Sequence, residues 1–135
     1  MKRFIFIICF FVLAVSSVGA VSSDLRDNYA PRETMIGKLS NNIIGQITRE
    51  QVSLVKDGHI QVGFDYDIRK LGNTYYVWLI APQNPGNYTL IIEDIPATEG
   101  GYPQIVDYQK DFIVGGQQVN YSVKPGAVLV ECTPC

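Results

Sequence analysis

Residues 51–65 read QVSLVKDGHIQVGFD, two alternating runs joined by Asp57-Gly58. In the first run Val52, Leu54 and Lys56 share one face, and Gln51, Ser53 and Val55 share the other. In the second, Ile60, Val62 and Phe64 fall to one side. A period of two places alternate side chains on opposite faces of a strand. Asp-Gly accepts the positive φ angles of a tight turn between antiparallel strands. This stretch therefore predicts a β-hairpin with one buried face.

Short β-type runs extend outward from it. Toward the N-terminus, 34–39 and 42–48 are weaker strand candidates, the second interrupted by Gly45. Toward the C-terminus, residues 66–72 differ. Ile68 and Leu71 stand three apart around Arg69-Lys70, which predicts one helical turn stopped by Gly72-Asn73. TYYVWLIA at 74–81 is nearly all apolar, as a strand buried on both faces would be. Trp78, the only tryptophan, is expected at the core centre. Residues 82–86 form a loop rich in turn residues. In the strand that follows, Tyr88, Leu90 and Ile92 share a face. A second loop is expected at 96–103, then short strands at 105–108, 111–114, 119–123 and 127–131. After the N-terminal segment no amphipathic stretch reaches ten residues. Short strands punctuated by turns indicate an antiparallel sandwich or barrel. The expected core is Val62, Phe64, Trp78, Tyr88, Leu90 and Ile92.

The N-terminus speaks to location. Lys2 and Arg3 precede an unbroken apolar run from Phe4 to Val15, and Val18 and Ala20 are small enough to precede a cleavage point. Together they read as a secretory signal-peptide helix over residues 1–20, cut after Ala20. The rival reading is an uncleaved anchor over residues 4–21, near the short limit for a membrane span. Either way the remainder is translocated, so the chain is expected to be secreted or held at the cell surface. Cys9 follows Ile8 rather than a small residue and is a poor lipidation site. Residues 21–31 are polar and mixed, and are expected to be a linker to a domain at 32–131.

About 115 residues follow the signal, enough for one domain with its own core. The chain has 11 basic and 13 acidic residues. Lys2 and Arg3 leave with the signal, and no basic stripe remains. Nucleic acid and anionic lipid are thus not expected partners. Membrane contact would come only through an uncleaved N-terminal segment.

The segment Gly86-Asn87-Tyr88-Thr89-Leu90, leaving a Pro-rich loop, resembles the start of the penultimate strand of immunoglobulin-like and fibronectin-like domains. In such domains a tyrosine there closes a "tyrosine corner". The resemblance gives Tyr88 that role and makes Trp78 a core residue of an earlier strand. Phe112-x-Val114 and 120–126 (NYSVKPG) look like closing strands of β-sandwich modules in archaeal or bacterial surface proteins. The resemblance spans about residues 32–131 and implies an all-β, antiparallel immunoglobulin-like sandwich. It has no intersheet cysteine pair, so an antibody-type domain is not implied. Modules of this kind act mostly as spacers or adhesion units. The implied partners are other surface-protein modules or cell-envelope components.

Few residues suggest chemistry. Cys132-Thr133-Pro134-Cys135 has the CxxC spacing of thiol oxidoreductases and zinc sites. A redox pair needs a following helix, and a zinc site needs two more ligands. A structural disulfide between Cys132 and Cys135 is the simpler reading in an exported chain. His59 is the only histidine, and no spacing assembles a Ser-His-Asp triad with it. Asp65, Asp67 and Asp57 could supply oxygen ligands to calcium, but capping of the 68–71 turn explains Asp65 and Asp67 better. Asn87-Tyr88-Thr89 and Asn120-Tyr121-Ser122 are sequons for N-glycosylation. No cofactor is indicated. The expected function is a non-enzymatic structural or adhesive module. One alternative is carbohydrate or ligand binding, with Tyr75, Tyr76, Tyr102 or Tyr108 as stacking platforms. A second is a thiol-redox or metal role for the terminal cysteines.

Overall fold

The computed structural model describes residues 21–40 and 42–116. The signal segment, Asn120, Cys132 and Cys135 lie outside the described residues. The strands are β1 (Asn28–Tyr29), β2 (Thr34–Lys38), β3 (Val52–Lys56), β4 (Ile60–Gln61), β5 (Tyr66–Leu71), β6 (Thr74–Ile80), β7 (Gly86–Glu99) and β8 (Tyr102–Val114). They form two open sheets, ordered β1-β8-β7-β3-β4 and β2-β6-β5. The sheets share one core in which Met35, Leu39, Leu54, Val77, Leu79, Leu90, Ile92 and Ile95 are fully buried. Among the described strands every pair but the parallel β1–β8 contact is antiparallel. The all-β, two-sheet expectation therefore holds.

The opening hairpin forms where the alternation places it. Asp57 and Gly58 both take positive φ, 51° and 78°. Lys56 pairs with Ile60, so residues 57–59 make the loop. Val52 and Leu54 face the core opposite Ile92 and Leu90. The return strand is short: β4 covers two exposed residues, while Val62 and Phe64 pack at the core margin.

Four expectations about the strands and the core are corrected. Residues 66–72 are not a helical turn. They form β5, paired with β6 through six successive partners ending at Leu71 with Thr74. Gly72-Asn73 is then a two-residue hairpin turn, with Gly72 at φ 58°. The three-residue spacing of Ile68 and Leu71 misleads because they lie on opposite faces of β5. Ile68 points to the core and Leu71 is only half-buried.

Second, 96–103 is not a loop. β7 runs on to Glu99 and β8 begins at Tyr102, turning at Gly100-Gly101 with φ 58° and 86°. The expected strands at 105–108 and 111–114 are parts of this one β8. A register shift between Ile92 and Ile95 marks a bulge at Glu93-Asp94. The extra residue lets Ile92 and Ile95, three apart, both face inward. Gln51 fixes the bulge by donating to the Glu93 and Asp94 carbonyls at 2.8 and 2.9 Å.

Third, Trp78 is not the core centre. Its strand partners are Ile36 and Asp67, on the face opposite Val77 and Leu79. Trp78 is nonetheless only 9% exposed, while Ile36 beside it is 51% exposed. Fourth, residues 42–48 form no strand. A single bridge joins Ile43 to Ala97, and Tyr75 ties the segment down by donating to the Gly45 carbonyl at 3.0 Å.

Residues 21–31, expected as a linker, pack onto the domain. Val21, Leu25 and Tyr29 are buried. Ser23 bridges to Leu39, and Tyr29 pairs with Val114. Leu25 lies so close to Gly37 that a Cβ there would stand 2.5 Å from its Cγ. The sequence hides this because its apolar residues, at 21, 25 and 29, are spaced too widely to read as a strand.

Candidate functional site

Two features of the large sheet stand apart from the core. The first lies at the rim where β7 begins. The Tyr88 hydroxyl donates to the Asn84 carbonyl at 2.7 Å, four residues upstream. Its ring stacks on Phe112, centroids 5.9 Å apart, and Phe112 meets Tyr29 edge-on at 5.8 Å. Burial, with a smaller contribution from Asp57, raises the Tyr88 pKa, so the phenol stays a neutral donor. This bond pins loop 82–85 to the strand it precedes.

Alternation then turns the flanking residues, Asn87 and Thr89, to the outer face, where an open groove of about 760 Å³ runs beside them. Asp27, Asp57, Asn87, Thr89, Asp111 and Ile113 are among its lining residues. The Thr89 hydroxyl donates to Asp111 at 2.7 Å. Asp27 pairs with Lys110. That hydrogen bond is the main reason the Lys110 pKa is raised. Asn87 is exposed. Its backbone carbonyl accepts from the Asp57 N–H at 3.0 Å. Its side-chain amide has no hydrogen bond among the described residues.

The second feature is the far end of the β7–β8 hairpin. Beyond the bulge, Ile95 and Ala97 are covered by the segment around Ile43, and the Pro96 carbonyl accepts from the Ile44 N–H at 2.9 Å. The β8 side has no such cover among the described residues. β1 pairs with Ile113 and Val114 alone, so the outward edge of β8 near Tyr102–Asp107 has no strand partner among the described residues. Tyr102 is 77% exposed there and Ile105 62%. An unpaired edge offers backbone donors and acceptors to another strand, and its apolar side chains add contact area. Pro103 and Asp107 interrupt it, which limits indiscriminate pairing.

The remaining sequence candidates separate. His59 is exposed in the β3–β4 turn, its Nδ1 2.7 Å from the Asp57 carbonyl oxygen. Asp67 does not cap a helical turn. It accepts from the Ile68 N–H at 2.9 Å and from Arg69 Nε at 2.8 Å, within β5. Among the described residues no three His, Cys, Asp or Glu side chains come together as a metal site would require. Tyr75 and Tyr108 are buried and cannot offer a ring face to a sugar. Tyr75 holds the 42–48 segment, and Tyr108 hydrogen-bonds Ser23. Tyr76 is half-buried, and Tyr102 alone of the four is exposed.

Sequence reasoning missed the β8 edge because the turn residues between Pro96 and Pro103 masked its strand character. No protein family, curated protein or solved structure matches the chain.

Proposed function

We propose that the chain is an exported, non-enzymatic β-sandwich module of the immunoglobulin-like kind, which serves a structural or adhesive role at the cell surface. The signal-type N-terminus supports export. The Tyr88–Asn84 bond supports the immunoglobulin-like reading, since it has the form of a tyrosine corner. The single observation that carries the role is the edge of β8 near Tyr102 and Ile105, both exposed, which no strand pairs among the described residues. Its partner is a strand of another envelope module, joined by main-chain hydrogen bonds and anchored by these two side chains.

The test compares the wild type with Ile105→Lys in the source organism. Ile105 is exposed, so the variant keeps its fold, checked by an unchanged Tm. The wild type is retained with the envelope and the variant is released to the medium. Equal retention of both refutes the edge as the contact. A specific hydrolytic activity of the purified domain, abolished by one point substitution, refutes the non-enzymatic reading.

A further inference from the structure

We propose that Asn87 carries an N-linked glycan, attached before β7 pairs with β8. The proposal rests on the export reading above. Three observations beyond the sequon support it. Asn87 is the second residue of β7, at the sheet rim, with its side chain exposed. Its amide makes no hydrogen bond among the described residues, so substitution on Nδ2 breaks none of theirs. The groove beside it gives the first sugars space, with Asp57 and Asp111 positioned to accept from sugar hydroxyls.

The order of events follows from the fold. A glycosyl transferase must reach both the Asn87 amide and the Thr89 hydroxyl on an accessible backbone. In the folded chain Thr89 donates to Asp111. Asn87 and Thr89 are paired across to Ile113 and Asp111 on β8, and Thr89 also to Val55 on β3. Transfer therefore precedes closure of this sheet. The donor is a lipid-phosphate-linked oligosaccharide. Asn87 Nδ2 bonds to the anomeric carbon as the carbon–oxygen bond to the lipid phosphate breaks. Nδ2 gives up one proton, and the lipid phosphate departs with the bonding electrons; no electrons are exchanged with a redox partner.

The experiment isolates the native chain from the envelope and medium of its source organism and maps its peptides by mass spectrometry. The peptide bearing Asn87 is expected to carry an added glycan mass, retained in Thr89→Ser and lost in Asn87→Gln and in Thr89→Val. The variants' fold is checked by thermal unfolding. In vitro, membranes holding the transferase are expected to modify the unfolded chain at least about a hundredfold faster than the folded one, because the acceptor is exposed only on opening of the sheet. A bare Asn87 in exported chain overturns this proposal alone. Recovery of the chain only from the cytoplasm overturns the export reading and this proposal together. Equal modification of folded and unfolded chain overturns the order of events.

Discussion

One of the contacts that hold residues 21–27 on the domain is that between Leu25 and Gly37, and a double-mutant cycle measures it. Leu25 is buried, with its Cγ at 2.5 Å and Cδ2 at 2.7 Å from where a Cβ on Gly37 would sit. Ordinary carbon–carbon contact is about 3.5–4.0 Å, so Gly37→Ala forces one partner to move and should cost about 1–3 kcal/mol. Leu25→Ala removes three carbons, about 2.4 kcal/mol of transfer energy at about 0.8 kcal/mol each. The residual cavity brings the total into the range of about 2–5 kcal/mol. In the double variant the new methyl enters the space that Leu25 vacates. The combined loss should then fall short of the sum by about 1 kcal/mol or more. Urea unfolding at fixed temperature, with m unchanged across the four proteins, gives the four free energies. Losses that add within about 0.5 kcal/mol mean the two residues do not touch, and Leu25 then does not pack on β2.

Other perturbations test separate parts of the account. Tyr88→Phe removes the bond to the Asn84 carbonyl and should cost about 0.5–1.5 kcal/mol, read as a lowered urea midpoint; no change would deny that bond any structural weight. Leu90→Ala, at a fully buried position of β7, should cost about 2–5 kcal/mol in the same assay, and a loss below 1 kcal/mol, roughly that of one methylene, would contradict the shared core. Gly72→Ala places a side chain at φ 58° and should cost about 1–2 kcal/mol; a neutral result would contradict the left-handed turn between β5 and β6. Burial raises the Tyr108 pKa, opposed by the weaker effect of its Ser23 hydrogen bond. The unfolded phenol therefore loses its proton first. Stability is fully present below about pH 10 and falls as pH rises toward the folded pKa. Tyr108→Phe should flatten that alkaline decline in urea titrations, and an unchanged slope would assign it to other groups.

What could be read from the sequence was local and periodic. The alternation of 52–56 and the Asp57-Gly58 turn gave the first hairpin with its buried face, and Tyr88, Leu90 and Ile92 gave the inner face of β7. Long-range pairing was the hidden part. β5 looked helical because Ile68 and Leu71 stand three apart, whereas its pairing with β6 is decided by residues that follow the turn. Trp78 reads as core from its type and its apolar neighbours, yet periodicity cannot say which face of a doubly apolar strand turns inward. Met35 and Leu39, both fully buried, show which face won. At the candidate sites, Asn87 was legible from its sequon and Tyr88 from the Gly-Asn-Tyr start of the strand. The β8 edge was not, because Pro96, Gly100-Gly101 and Pro103 signal a loop, and only the bulge at Glu93-Asp94 reconciles them with a continued hairpin.

Export underlies both the proposed role and the proposed glycan, and one measurement addresses it: N-terminal sequencing of the chain recovered from the medium, envelope and cytoplasm of its source cells. The account predicts a chain outside the cytoplasm whose first residue is Val21. Retention of Met1 in an envelope-bound chain would replace cleavage by anchoring and keep the domain outside. A chain found only in the cytoplasm and beginning at Met1 would contradict the account.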